Sequence, residues 1–290
     1  MITIFCAPKP FRGRIKAIQT NAICSWILLP CNCEIILFGN EEGTAESAAE
    51  LGVKHVPNVK RNEFGTPLVS SLFEASQRIA SYDILCYMNA DIILMNDFVK
   101  TAYDIIQQGY PFLMMGRRWD VPVNELLDFE RTNWQEKLSL HALKCGQLHG
   151  PTGIDYLVFR RGTFGEIPPF AVGRPGWDNY IVYRARSMRI PVIDVTKAVM
   201  AVHQNHDYGH HPGGEAGVLK GVEAKRNWRM AGNGAYILDV RDATHVVGSN
   251  GLRVMPWHKH LCRRLLTLLI VRHNIGFPLK LVRNLRRRLR

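Results

Sequence analysis

Short, wholly apolar runs alternate with amphipathic stretches through the first 120 residues. The strand-like runs are residues 1–6, Glu34-Ile35-Ile36-Leu37-Phe38, Ile84-Leu85-Cys86-Tyr87-Met88 and Phe112 to Met115, with Val53 to Val56 short and edge-like. Such runs, with no polar alternation, suit strands buried on both faces of a parallel sheet. Between them lie helical patterns. Ile18, Ala22 and Trp26 recur every four residues within Ile15 to Leu29, and a short helix is expected over residues 44–51. Thr66-Pro67, as N-cap and first helical position, opens a helix carrying Leu68, Leu72, Ala75 and Ile79 on one face. Phe98, Ala102, Ile105 and Ile106 are in register from about Asp97. This alternation predicts a doubly wound α/β sheet.

The pattern changes after residue 120. Residues 125–145 read as helical, Asp155 to Phe159 as a strand, and Gly162 to Gly176 as a Gly/Pro-rich connection. A helix from about Asp178 and a strand over Pro191 to Val195 follow. Residues 203–234, rich in His, Gly and Asn, are expected to be a functional loop rather than core.

Three segments carry candidate chemistry. Asn89-Ala90-Asp91 follows the Ile84–Met88 run, so Asp91 falls at a strand's carboxyl end, where open α/β sheets bind ligands. A carboxylate there either meets a cation or merely ends the strand by accepting from a backbone N–H. Gly176-Trp177-Asp178 sets an acid after a tight turn and an aromatic, at a helix start. The apolar run from Ala198 ends in His203-Gln204-Asn205-His206, a set of candidate ligands, whereas His210 and His211 are expected to be solvated.

Taken together, these segments resemble the GT-A-fold glycosyltransferases, with a family 2-like organisation, over roughly residues 1–210. The resemblance implies a mostly parallel mixed sheet flanked by helices, binding a nucleotide-sugar donor and a Mn²⁺ or Mg²⁺ ion. Its nucleotide loop corresponds to Cys6-Ala7-Pro8-Lys9, its acids after the second strand to Asn40-Glu41-Glu42, and its acidic turn to Asn89-Ala90-Asp91. Here the first acid of that turn is Asn89, so only Asp91 offers a metal a carboxylate. The implied roles are Asp91 with His203 or His206 at the metal, and Pro8, Lys9, Glu41, Arg61, Asn89 and Asp91 toward the donor. Asp178 is then the base that takes the acceptor hydroxyl's proton. Its alternative role is a helix-N-terminal acid favoured by the dipole. Trp177 either stacks on an acceptor sugar or simply packs. The acceptor is expected to be a glycan or a lipid-linked saccharide.

Charge adds the last element. The 290-residue chain has a formal charge of +12, yet residues 252–290 hold eleven Lys and Arg and no acid, leaving 26 basic against 25 acidic residues elsewhere. A near-neutral catalytic body over residues 1–250 is expected, its nucleotide-sugar half at 1–120 and its acceptor half at 121–250. A basic helical tail over 251–290 follows. In the tail, Leu281, Leu285 and Leu289 recur every four residues while Arg283, Arg286, Arg287 and Arg290 lie elsewhere around the helix; Leu261 to Val271 is more apolar, with Arg263 and Arg264 on a narrow face. Three readings stay open: attachment to an anionic membrane surface, packing on the body, or a nucleic-acid arm. The absence of any readout motif argues against the last. No charged leader or long apolar segment opens the chain, and its seven cysteines are scattered, so a cytoplasmic protein with reduced thiols is expected, peripheral to the inner membrane face if the tail binds lipid. Two competitors keep the basic features without glycosyl transfer. A nucleotidyltransferase would use Phe11-Arg12-Gly13-Arg14 as a triphosphate loop, and an inactive membrane-attached scaffold would use only the tail.

Overall fold

The computed structural model describes residues 1–272 except Tyr208, His210, His211, Pro212, Trp257 and Lys259, together with residues 284–286 and 288. The strands are β1 Ile2–Cys6, β2 Cys33–Phe38, β3 Lys54–Val56, β4 Ile84–Met88, β5 Ile92–Ile93, β6 Leu113–Met115 and β7 Arg118–Val121; then β8 Gln147–Leu148, β9 Tyr156–Arg160, β10 Val192–Asp194, β11 Ala201–Gln204, β12 His245–Gly248 and β13 Gly251–Val254. The α-helices are α1 Gly13–Ile27, α2 Thr44–Leu51, α3 Val69–Ile79, α4 Asn96–Ile106, α5 Trp134–Cys145, α6 Trp177–Ser187, α7 Gly214–Lys220, α8 Val222–Met230 and α9 Leu261–Val271.

Nine strands form one sheet in the order β13-β12-β10-β6-β9-β4-β1-β2-β3. It is the mixed, mostly parallel sheet flanked by helices that the resemblance implies. Only β9, against β4 and β6, and β13, against β12, run antiparallel. The pleat divides the apolar runs between two cores. Phe5, Leu85, Tyr87 and Phe159 face α3 and α6 in one core, while Ile4, Cys6, Cys86 and Met88 face Trp26 and Phe98 in the other. All five residues of β4 are buried, as its unbroken apolar run requires, although one of its neighbours is antiparallel. β3, as its short run suggests, ends the sheet at one edge. A second sheet, β5-β11-β7-β8, stands over a small third core of Ile93, Val121, Val202 and Leu138.

Several expectations need correction. Thr66-Pro67 does not cap a helix: Pro67 bridges Arg61, Leu68 precedes the helix in an extended conformation, and α3 begins at Val69. The helix expected over residues 125–145 starts only at Trp134; ahead of it a non-helical loop borders a cavity of about 400 Å³. Residues 203–234 are not one loop, because α7 and α8 lie within them. The boundary at 250/251 falls inside the β12–β13 hairpin of the main sheet, so the last segment begins as part of the body.

That segment also turns its charge inward. Arg263 and Arg264 are buried, as is Arg286. Arg263 donates to Asp239 Oδ2 at 2.8 Å and Asp242 Oδ2 at 2.5 Å; Arg286 reaches the same Asp242 oxygen at 2.8 Å, and Thr267 donates to Asp242 Oδ1 at 2.7 Å. The ion pairs enclose an aspartate with no solvent exposure. Burial alone would raise Asp242, but Arg286 and Arg263 hold it below the ordinary carboxylate range. These three arginines are therefore packing residues and are not presented to phosphates. Arg283, Arg287, Arg290, Leu281 and Leu289 lie outside the described residues. Asp242→Ala strands buried guanidinium groups and is expected to cost about 3–5 kcal/mol in urea unfolding. It should also make residues 255–272 protease-sensitive; unchanged stability would show that the network bears no load.

Candidate active site

The carboxyl ends of β1, β2 and β4 meet on one edge of the main sheet, and the second sheet is hung over that edge. β4 stops at Met88, and the Asn89 N–H donates to the Asp155 carbonyl at 3.0 Å, turning the chain into β5. β11 pairs antiparallel with β5 and parallel with β7, which sets His203 beside Ile92 on one side and Asp120 on the other. The Gln204 N–H donates to the Asp91 carbonyl at 3.2 Å. Sequence positions more than a hundred residues apart thereby converge on Asp91.

Asp91 Oδ2 lies 3.1 Å from His206 Nε2, 3.9 Å from His203 Nε2 and 3.4 Å from Lys9 Nζ. Asp91 Oδ1 is buried with no partner. Among the described residues, Asp91, His203 and His206 are the one group of three metal-ligating side chains whose ligand atoms lie within 4.8 Å of one another. The tautomer of His206 follows from its neighbours. Its Nδ1 lies 2.7 Å from the Asp207 carbonyl, which can only accept, so Nδ1 carries a proton and Nε2 is the ring nitrogen directed at Asp91. An orphaned carboxylate oxygen beside two imidazoles suits a divalent cation, with the nitrogens favouring Mn²⁺ over Mg²⁺. Lys9 Nζ, 3.0 Å from that same Nε2, supplies the positive charge here. Its backbone is held by Gln19, which accepts from Lys9 N–H at 2.6 Å and donates to Lys9 O at 2.9 Å. Burial would raise Asp91, but Lys9, His206 and His203 together hold it well below the usual carboxylate range.

Behind His203 stands a group that sequence reasoning missed. Asp120 Oδ1 faces His203 Nδ1 at 3.2 Å, out of line for a hydrogen bond, and Asp120 Oδ2 meets His149 Nδ1 at 2.5 Å. Arg118 donates to Asp120 at 2.8 Å and to Asp155 Oδ1 at 2.8 Å. Asn89 is part of the same chain: its amide donates to Asp155 Oδ1 at 2.6 Å and its oxygen accepts from Tyr87 at 3.1 Å. The site is thus an alternating row of charges running from Lys9 through Asp91 and the histidines to Asp120, Arg118 and Asp155. Asp120 is held below its ordinary value: burial opposes ionisation, but His203, His149 and Arg118 outweigh it.

Asp178 lies at the far end of the row. Gly176, at φ 96°, makes the turn into α6 and brings Asp178 into the first turn of the helix, where its Oδ1 accepts from Asn179 N–H at 2.9 Å. Burial pushes Asp178 up to about 7, and the nearby Asp155 carboxylate adds to the rise. Trp177 is in the core. Its ring packs edge-on against Tyr87, with centroids 4.7 Å apart, and against Phe73. It presents no face for a sugar, so the expectation of stacking gives way to packing that positions Asp178.

Glu41 and Arg61 come together as an ion pair at 2.8 Å, with Arg61 also donating to Asn40 Oδ1 at 2.7 Å. Glu41 Oε2 is buried without a partner. Phe11 N–H donates to Glu42 O at 2.8 Å, which joins this loop to the one holding the buried Pro8 and Lys9.

No protein-family model matches the chain, and no curated protein matches it. Among solved structures, residues 1–349 of S. aureus TarS match at 10% identity and a TM-score of 0.47, over 70% of this chain and 60% of that one. The same span of TarS has also been solved in complex with UDP-GlcNAc. A mannosyltransferase from Pyrobaculum calidifontis, in complex with GDP-Man and Mn²⁺, matches at 12% identity and a TM-score of 0.46, over 72% of this chain and 58% of that one. Glucosyl-3-phosphoglycerate synthase from Mycobacterium tuberculosis, with Mg²⁺ and UDP, matches at 14% and 0.47, over 88% and 87%. The chain spans about three fifths of the length of the first of these. Each is a distant likeness in the arrangement of sheet and helices.

Proposed function

We propose that this chain is a metal-dependent glycosyltransferase that moves a sugar from a nucleotide-sugar donor to a hydroxyl of a glycan or lipid-linked acceptor, with inversion. The observation that carries the reading is the pairing, along one sheet edge, of a cation-ready cluster at Asp91 with a carboxylate of raised proton affinity at Asp178. Glycosyl transfer needs both: positive charge where a diphosphate leaves, and a base where a hydroxyl attacks. A divalent ion held by Asp91, His203 and His206 supplies Lewis-acid neutralisation of the departing diphosphate. Lys9 stands beside it as a second positive group for the phosphates. Glu41, through its free oxygen, accepts from a ribose hydroxyl or base N–H, with Arg61 fixing its orientation. Asn89 holds Asp155, and Pro8 shapes the loop that presents Lys9. Asp178 takes the acceptor's proton.

The nucleotidyltransferase reading loses its loop, because Arg12 is paired with Glu42 and Arg14 donates to Asn124 and the Asn205 carbonyl. The nucleic-acid arm loses Arg263, Arg264 and Arg286 to the interior. Among the described residues no helix is long and apolar enough to cross a membrane. A lipid-linked acceptor is met at a membrane surface, and peripheral attachment to an anionic leaflet belongs to this proposal.

The deciding experiment is thermal stabilisation by UDP, GDP, CDP and their sugars, with Mn²⁺ or with EDTA. One nucleotide family is expected to raise Tm with Mn²⁺ and to lose that effect in EDTA. No shift from any of them in a folded protein would overturn the reading. Lys9 gives a second check. Its ammonium competes for the cluster's negative charge, so Lys9→Met should tighten Mn²⁺ binding in calorimetry without nucleotide, by roughly tenfold, and weaken nucleotide diphosphate binding.

A further inference from the structure

Helix α9 packs Ile270, Leu266 and Leu269 on the core, yet its first turns are inverted relative to water. Arg263, Arg264 and Thr267 are buried, while Leu261 and Leu265 are 40% and 48% exposed. A helix on an aqueous surface places these residue types the other way round. Asp239 and Asp242 draw Arg263 and Thr267 inward, the Met255 and Pro256 carbonyls hold Arg264, and the leucines are left outside. Positions 261, 265, 268 and 272 share one stripe of a helix, so the stripe runs from the exposed leucines through half-buried Leu268 to exposed Arg272.

The ridge ends at a cavity of about 740 Å³ between the end of α6, the start of β12 and α9. Leu268, Val271, Ile190 and Pro191 give it apolar walls, and its charged groups are Arg186, Arg189 and Arg272, with His245 beside them and no carboxylate among the lining residues. Arg189 is held at φ 60°, a left-handed conformation in the position after a helix where glycine is usual. Arg189 and Arg272 are exposed, and their side chains have no partner among the described residues. Arg186 donates to the Asp242 carbonyl. Burial and the guanidinium groups of Arg264 and Arg286 disfavour its charge, which an anion in the cavity would offset.

We infer that the α9 ridge and the Arg186–Arg189–Arg272 cavity form a docking site for a phosphate-bearing anionic lipid of a bilayer leaflet, with Leu261 and Leu265 entering the acyl boundary. The inference deepens the proposal of peripheral attachment, and it reverses the expected mechanism: the buried arginines of α9 hold the helix, while its leucines and the cavity arginines meet the membrane. An apolar stripe beside unpaired cations matches the two parts of a phospholipid, tail and headgroup. A soluble phosphate matches only one of them.

The test is cosedimentation of the full chain with vesicles of phosphatidylcholine alone and of phosphatidylcholine with an equal part of phosphatidylglycerol. Binding to the anionic vesicles only is expected. Leu265→Ser should reduce it, and Arg189→Glu with Arg272→Glu should reduce it by at least about tenfold. Lys100→Glu with Lys144→Glu, the same charge change elsewhere on the surface, should leave it within about twofold. Absence of binding by the unaltered chain overturns the inference, as does equal loss in the Lys100/Lys144 control. So does tight binding of inorganic phosphate without vesicle binding. A solution dimer dissociated by Leu265→Ser would assign the ridge to a second copy instead and equally overturn it. Mn²⁺-dependent nucleotide binding, measured on the same samples, separates the two proposals: vesicle binding without it leaves this inference standing and removes the transferase reading, and the reverse does the opposite.

Discussion

Asp178→Asn is expected to lower the rate of sugar transfer by about a hundred- to ten-thousandfold, the usual contribution of a positioned general base, while leaving Mn²⁺-dependent nucleotide binding unchanged. Asp155 is a poor substitute for it, since Arg118 and Asn89 already occupy its Oδ1. Asp178 has the raised proton affinity that a base working near neutrality needs. With its carboxyl pushed up to about 7 by burial and by Asp155, kcat/KM should rise with pH and level off above about 7. Stability should move the other way. A carboxyl raised in the folded state contributes fully below its unfolded value near 4 and loses that contribution as pH climbs through 7. The native protein should therefore weaken across that window by roughly 2–4 kcal/mol, and Asp178→Asn should remove the slope. Urea titrations at pH 5 and pH 8 measure it. A variant that transfers sugar at the native rate would remove Asp178 from the mechanism. A variant that loses nucleotide binding too would make it a structural acid.

The parts of this site that can be read from sequence are those that end apolar runs. Asp91 follows the buried strand β4 and His203 lies within the buried strand β11, where a polar side chain needs a reason, and Lys9 follows the first strand. Asp178 is marked by the glycine before it. Arg118, Asp120, His149 and Asp155 carry no such signal. β7, which supplies two of them, has one buried residue in four and no alternation, so it has the look of a loop. What makes it a strand is its pairing with β11, eighty residues on. The same distance hides the inversion of α9. From its own residues the helix has a basic face for solvent, because the groups that bury that face, Asp239 and Asp242 on Arg263 and the Met255 and Pro256 carbonyls on Arg264, lie outside it. The glycines at the ends of α7 conceal that helix, and the missed start of α5 has a related cause: residues 125–133 are apolar enough to continue its pattern but line a cavity instead. Burial of the main-sheet strands is a local property here, whereas strand pairing and the partners of charges are not.

Asp91→Asn tests the metal end of the site, and its expected effect on binding is the larger of the two. The asparagine keeps the shape of the turn and its Gln204 contact, which uses the backbone carbonyl, so the fold should persist. It removes the carboxylate that, among the described residues, is within reach of both His203 and His206. Loss of a supporting partner typically costs ten- to a hundredfold in metal affinity, and loss of a ligand itself should exceed about a hundredfold. In calorimetry the variant should show no measurable Mn²⁺ binding, and nucleotides should raise its Tm equally with Mn²⁺ and with EDTA. Lys9 makes the result interpretable. In the native chain Asp91 is held well below the usual carboxylate range, chiefly against burial and by Lys9, so its contribution to stability is present above about pH 4 and lost on acidification. Asp91→Asn should abolish that acid-side loss, whereas Lys9→Met should only shift it. If Asp91→Asn still binds Mn²⁺ with native affinity, the ion sits elsewhere and the cluster is a salt bridge between Lys9 and Asp91. If binding is lost and Lys9→Met strengthens it, the ammonium, 3.4 Å from Asp91 Oδ2 and 3.0 Å from His206 Nε2, would compete with the metal for the same negative charge.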